Sequence, residues 1–391
     1  MHRSSGGACR RERCRDGVPR SHVRRGIRLS ETEIARLRDE IADVDREIVG
    51  LVAKRLDLAS QVGLEKKRLG LPLRDERAEE HVHTRLSAEV AKLGIGSSLG
   101  AGLAHLLIEE SVRRQAGAFP PVPVNQCVLV VGGAGRMGRW LCRYFRSRGC
   151  DVVVNDIAGS LEGFAFEPDL QKGVQEADVI AVSVPMSVSS EVLRSIAAMR
   201  PKALLFDVCS LKAPIAHELR AMSRSGLRIA SVHPLFGPNL WPLSSGNITF
   251  SDCGNSAAVL EARELFRASG ASFVDVSLDY HDESMAFLLG LSQLCLLTFA
   301  RCVAESPFDL AGLESSAGTT FSRLSIAAAG LLADSPTLLR DIQALNPHTP
   351  FIHRRIRETL DEWQNATASE GADFLRLIGQ TRKNFEGRMS R

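Results

Sequence analysis

Apolar residues recur at Ile34, Leu37, Ile41, Val44, Ile48, Leu51, Val52, Leu56, Leu58 and Val62. Intervals of three and four place such positions on one face of a helix. Ser30 with Glu33 fits a capping box at its start, and Gly70-Leu71-Pro72 stops it after Leu69. At 1.5 Å per residue the helix runs about 60 Å, too long for one small globule to cover. The pattern therefore predicts a partner helix from a second chain. Two shorter helices are predicted over about 75–93 and 98–117, followed by the Pro-rich stretch GAFPPVPV. The period then changes. Short apolar runs at 127–131, 152–156, 178–184, 203–208 and 228–232 alternate with helical segments. Strands alternating with helices predict a doubly wound parallel sheet. Beyond about residue 280 the pattern is helical only, with breaks near Pro307, Pro336, Pro347 and Gly371.

The expected organisation is an all-α N-terminal domain over 30–118, a linker at 119–125, an α/β Rossmann domain over 126–281, and an all-α C-terminal domain over 282–391. A chain of 391 residues, 44% apolar and 24% charged, fits two or three globular domains. Residues 1–29 carry nine Arg against Glu12 and Asp16, a local +7; the total of +3 leaves −4 for the rest. An acidic body argues against nucleic acid as a partner. The basic stretch, poor in large apolar residues, is expected to be a disordered tail. No apolar run reaches the roughly 18 residues of a membrane span, so none is expected. The nine cysteines form no CxxC pair, which suggests reduced thiols in a cytoplasmic protein and no metal site.

Two stretches carry candidate chemistry. Gly133-Ala134-Gly135-Arg136-Met137-Gly138 follows a strand and opens a helix, the context in which GxGxxG binds a dinucleotide. Gly133 suits the tight turn, Gly135 lets backbone approach a pyrophosphate, and Gly138 lets helix pack on strand. Asp156 ends the second strand, where an acid binds a ribose 2′-hydroxyl, favouring NAD over NADP. Arg136 is a mild signal the other way. His233, in the run HPLFGP, sits at the carboxyl edge of the sheet, where open α/β folds bind ligands. In the helical part, Arg55 and Lys66 share a face, and Asp75 and Glu79 share another at i,i+4. Arg38 lies about 100° away from Arg55 and would point elsewhere. Spacing alone reads more readily as a solvated charged surface.

The segment from LRDEIADVDREIVGLVAKRLDLASQVGLEKKRLGLPLRDERAEE to LIEESVRRQ resembles the all-helical chorismate mutase family. Matched by position, Arg38, Arg55, Lys66, Asp75, Glu79 and Gln115 fall on that family's active-site residues. The resemblance implies a pericyclic rearrangement of chorismate to prephenate. Arg55 and a partner chain's Arg38 would hold the two carboxylates. Lys66 and Gln115 would donate to the ether oxygen, and Asp75 and Glu79 would meet the C4 substituent. Ala78 stands where the family has an Arg. The glycine-rich turn, Ser183-Val184-Pro185, Ser210-Leu211-Lys212 and HPLFGP, followed by helices, resemble the prephenate dehydrogenase family. The two together resemble the bifunctional chorismate mutase/prephenate dehydrogenase family.

That resemblance implies NAD-dependent oxidative decarboxylation of prephenate to 4-hydroxyphenylpyruvate in tyrosine biosynthesis, by a homodimer in which 282–391 is an all-α dimerisation domain that also covers the substrate. His233 would take the C4-hydroxyl proton, and Ser210 would hydrogen-bond His233 or that hydroxyl. Ser183, Val184 and Pro185 would line the nicotinamide site, with Arg136 and Met137 in the turn. Two departures bear on substrate: Gly330 replaces the Arg expected against the ring carboxylate, with Arg323 nearest, and Asn239 replaces an acid. They leave open the same two reactions on 4-amino-4-deoxychorismate and 4-amino-4-deoxyprephenate, or an inactive regulatory paralogue. A generic 3-hydroxyacid-type dehydrogenase would need a Lys-plus-Asn pair on the first C-terminal helix, and 283–296 has neither.

Overall fold

The computed structural model describes residues 31–71, 73–116, 126–240, 246–267, 269–368 and 371–389. They fall into two compact units, one ending at Arg55 and the other beginning at Leu56, so the division lies inside the first helix. The expected tail at 1–29 and the linker at 119–125 lie outside the described residues.

The first helix, α1, covers Glu31–Arg68. In its first unit the apolar stripe is exposed among the described residues: Ile34 is 39% exposed, Ile41 60% and Leu51 67%. Surface pairs such as Arg36 with Glu33 and Glu40 run along its polar side.

The second unit opens with the end of α1, a turn at Gly70 with φ of +68°, then α2 (Glu76–Lys92) and α3 (Ser97–Ala116). Asp75 caps α2 by accepting from the Ala78 amide at 3.2 Å, one of the amides a helix start leaves without a partner. Leu73, Ile108 and Val112 form a small core with Val82. A Cβ on Gly63 would lie 2.9 Å from Gln115 Cα, so this glycine lets α3 approach the end of α1.

Eight strands follow: β1 (Cys127–Val131), β2 (Asp151–Asn155), β3 (Ala165–Phe166), β4 (Val179–Val182), β5 (Leu204–Asp207), β6 (Ile229–Leu235), β7 (Asn247–Ser251) and β8 (Ser272–Asp275). Helices α4 (Arg136–Ser147), α5 (Leu170–Glu176), α6 (Met186–Ala198), α7 (Ala216–Arg224) and α8 (Ser256–Phe266) lie between them. The strand order is β3-β2-β1-β4-β5-β6-β7-β8. The sheet is parallel except that β6 and β7 pair antiparallel, a departure from the all-parallel expectation. Residues 236–246 are too few for a crossover helix, so the chain returns beside itself. The apolar runs cover both faces, one core around Trp140, Phe145 and Phe206 and another around Leu129, Leu193 and Leu205.

The rest is helical: α9 (Leu278–Met285), a π-helical stretch Ala286–Leu291, α10 (Ser292–Ala304), α11 (Leu310–Ser315), α12 (Thr319–Leu332), α13 (Pro336–Leu345), α14 (Thr349–Ala368) and α15 (Ala372–Met389). The boundary expected at 281/282 falls inside a continuous helix. Leu278–Ala304 is also long and apolar enough to cross a membrane by length and composition, contrary to the expectation that no such segment exists. Its first turns are tied into the sheet domain, as described next.

Candidate active site

Turn geometry after β1 leaves no room for side chains. Gly132 has φ of +83°, and a Cβ there would lie 2.4 Å from Ser183 O. A Cβ on Gly133 would meet Val154 Cγ1 at 2.8 Å, and one on Gly138 would meet Gly132 O at 2.1 Å. These three glycines draw α4, β2 and the end of β4 onto one turn. Gly135 begins α4 without a side-chain cap, so the amides there point outward for an anion. Asp156, just past β2, accepts from the Ala134 amide at 2.9 Å and the Ala158 amide at 2.8 Å. Each carboxylate oxygen keeps a lone pair for a ribose hydroxyl. Arg136 turns away, bonding Asp334 at 2.8 Å in the turn between α12 and α13. Met137 is half-buried against the core. Ser183 and Val184 are half-buried beside the turn, and Pro185 precedes α6. These residues fit a bound dinucleotide.

His233 lies within β6 rather than after it, opposite Thr249 of β7, and is 4% exposed. Its Nδ1 lies 3.1 Å from His281 Nε2. His281 Nδ1 is in turn 2.7 Å from Asp282 Oδ1. The Asp282 carboxylate accepts from the Lys212 amide at 2.8 Å and the Ala213 amide at 2.6 Å. Lys212 is fully buried, with Nζ 2.7 Å from Asp207 Oδ1 and 3.0 Å from Val232 O. Burial pushes the pKa of His233 well below its ordinary value, helped by the Lys212 charge and by His281. Burial also lowers His281 against the pull of Asp282. The amide and imidazole bonds hold Asp282 below the usual carboxylate range although burial opposes them. The outcome is a neutral imidazole near the carboxyl end of β6, fit to accept a proton.

Ser210 was expected as a hydrogen-bond partner of His233 or of a substrate hydroxyl. It is half-buried beyond β5, and the Nδ1 partner is His281. His281 and Asp282 were missed because nothing local marks them; the pair falls in a helical stretch 48 residues past His233. Lys212 stands in the sequence only as the last residue of the Ser210-Leu211-Lys212 motif. Gly330 and Arg323 are both exposed on α12 and supply no buried cation beside His233.

In the helical part, Lys66 is half-buried, with Nζ donating to Leu73 O at 2.7 Å. Burial lowers its pKa, opposed by the charges of Asp75 and Glu79. Gln115 is 8% exposed, and its side-chain oxygen has no partner among the described residues. Glu79 pairs with Arg74 at 2.8 Å, and Arg74 also reaches Glu109 at 2.7 Å and Gly270 O at 2.7 Å. The structure thus brings Lys66, Asp75 and Glu79 into one electrostatic neighbourhood. Arg74 supplies a guanidinium to Glu79, the residue after Ala78. Arg38 is exposed and Arg55 half-buried in the first unit.

Comparison with known proteins agrees with both halves. The family described as chorismate mutase type II matches residues 37–116, and the prephenate dehydrogenase nucleotide-binding domain matches 157–247. The T-protein of Enterobacter agglomerans is 27% identical over 314 residues, covering 79% of this chain and 81% of that one. The 4-amino-4-deoxyprephenate dehydrogenase of Streptomyces pristinaespiralis is 30% identical over 241 residues, 58% of this chain and 79% of that one. Among solved structures, the prephenate dehydrogenase of A. aeolicus in complex with hydroxyphenyl propionate and NAD+ superposes with a TM-score of 0.53 at 17% identity. It covers 66% of this chain and 98% of that one, a likeness of fold.

Proposed function

This chain belongs to the bifunctional chorismate mutase/prephenate dehydrogenase family, and we propose that it converts chorismate to prephenate and prephenate, with NAD, to 4-hydroxyphenylpyruvate and CO2 for tyrosine biosynthesis. The observation that carries the second step is His233: a buried, neutral imidazole on the sheet that also bears a glycine turn no side chain can fill.

The dehydrogenase mechanism follows from the site. Gly133, Gly135 and Gly138 admit the pyrophosphate to the start of α4, and Asp156 takes the ribose hydroxyl. Arg136, engaged by Asp334, is not free for a 2′-phosphate, which supports NAD. Bound NAD supplies the hydride acceptor. His233 takes the proton of the C4 hydroxyl as the hydride leaves C4, and Ser210 holds that hydroxyl. The bond to the ring carboxylate then breaks, its electron pair completes the aromatic ring, and CO2 leaves. Aromatisation makes the step effectively irreversible.

The mutase needs no base or nucleophile. Lys66 and Gln115 stand ready to donate to the ether oxygen as charge grows there, and Glu79, steadied by Arg74, meets the C4 hydroxyl with Asp75. Arg55 and a partner's Arg38 enter by sequence match as carboxylate holders. Exposed apolar residues on α1, such as Ile41 and Leu51, and on the C-terminal helices, such as Ile326 and Leu375, support a homodimer. Among the described residues the cysteines are unpaired, in keeping with a cytoplasmic enzyme.

The test is NADH formation with prephenate, arogenate and 4-amino-4-deoxyprephenate in parallel, and chorismate loss measured separately. Prephenate should be the best substrate. Preference for the amino analogue would move the assignment to that substrate, and silence with all three would refute dehydrogenase activity. His233→Asn should abolish NADH formation and leave chorismate loss intact.

A further inference from the structure

We propose that His281 and Asp282 are a positioning pair that holds the proton of His233 on Nδ1 and leaves Nε2 as the base, an inference that rests on the dehydrogenase reading above. Start at the carboxylate. Asp282 already accepts two backbone amides, from Lys212 and Ala213, and an ionised carboxylate can only accept. The His281 nitrogen facing it at 2.7 Å must therefore carry a proton. His281 is 0% exposed at its side chain, and the buried Lys212 ammonium disfavours a second positive charge nearby. A neutral His281 protonated on Nδ1 has a bare Nε2. That atom lies 3.1 Å from His233 Nδ1, so the proton between them belongs to His233. His233 then has its lone pair on Nε2, and among the described residues that nitrogen makes no hydrogen bond.

The opposite arrangement fails on electrostatics. A proton on His281 Nε2 alone would set a bare Nδ1 against the carboxylate oxygen at 2.7 Å, lone pair to lone pair. Protonating both nitrogens would place an imidazolium in the same buried cluster as Lys212. Asp282 and Asp207 pull toward that charge, but the complete burial of the His281 side chain outweighs them and keeps the ring neutral. The pair is itself braced. Asn346, 2% exposed, donates from its side chain to Asp282 O at 2.8 Å and accepts from the His348 amide at 2.9 Å. The C-terminal helices thus set the chemistry of a residue on the sheet.

Three variants and one spectrum test this. His281→Leu removes the acceptor, and kcat for NADH formation should fall about 10²-fold, the lower end of what a placed general base contributes. KM and the Kd for NAD should change less than about threefold, since that residue is argued to touch neither. His281→Gln can still accept from His233 and donate to Asp282, so it should recover most of the lost rate. In 15N-histidine spectra of the whole protein, the signals absent from His233→Asn should show a protonated Nδ1 and a bare Nε2. A proton on Nε2, or unchanged kcat in His281→Leu, would overturn the proposal. If His281→Leu does not fold, the spectrum of the wild type still decides. If the wild type reduces no NAD but the spectrum is as expected, the dehydrogenase reading fails and the tautomer assignment stands.

Discussion

Lys212→Met is the most informative single change outside the reacting groups. The Lys212 ammonium and the Asp207 carboxylate are both 0% exposed and 2.7 Å apart. Methionine fills nearly the same volume, so the change removes charge and hydrogen bonds while leaving little cavity. Asp207 would keep only the Cys209 amide, at 2.9 Å, because its Oδ2 has no partner among the described residues. Val232 O would lose its side-chain donor. Breaking one side of a buried pair costs about 3–5 kcal/mol, most of it the stranded charge. For a unit spanning Leu56–Arg391 that is a fall in Tm of roughly 4–7 °C. Asp207→Asn combined with Lys212→Met removes both charges and keeps an acceptor for Cys209, so most of the loss should return. The assay is urea unfolding of the two variants beside wild type. A single variant within about 0.5 kcal/mol of wild type, the range of a neutral surface change, would refute the argument. A double variant less stable than the single one would do the same. Lys212 also presses the His233 pKa down, so in whatever fraction folds, the acid limb of dehydrogenase kcat/KM should move to higher pH.

Three further outcomes follow from the geometry. Gly138→Ala sets a Cβ 2.1 Å from Gly132 O, so calorimetric NAD affinity should fall at least tenfold, about 1.4 kcal/mol, while chorismate loss is unchanged. His233 and His281 both have lowered pKa values; the unfolded chain binds protons below about pH 6.5 that the folded one does not. Stability should therefore be level above that pH and fall below it by up to about 1.4 kcal/mol per pH unit for each imidazole, and urea midpoints for His233→Gln should show a shallower fall. Arg74→Met frees Glu79 and leaves Glu109 unpaired beside it; mutase kcat/KM should drop about tenfold with dehydrogenase kcat intact, the scale of one charge-assisted hydrogen bond.

What could be read from the chain alone was whatever depends on neighbours in sequence. The helix at Glu31–Arg68 follows from three- and four-residue spacing, and the glycine turn from a motif whose steric reasons are local. His233 was found because strand alternation puts it near a carboxyl edge. Tertiary structure alone decided who meets whom. The antiparallel return of β7 depends on a short connection and on which edge of the sheet was open. The His233 partner lies 48 residues away, on a helix whose apolar pattern conceals a polar pair at its start. Arg74 meets Glu79, the residue after Ala78, and Glu109 only because a turn carries its guanidinium there. Periodicity encodes which face is buried; it carries no information about which buried polar group another will find, since that pairing is set by the packing of distant elements and by the cost of leaving either one unpaired.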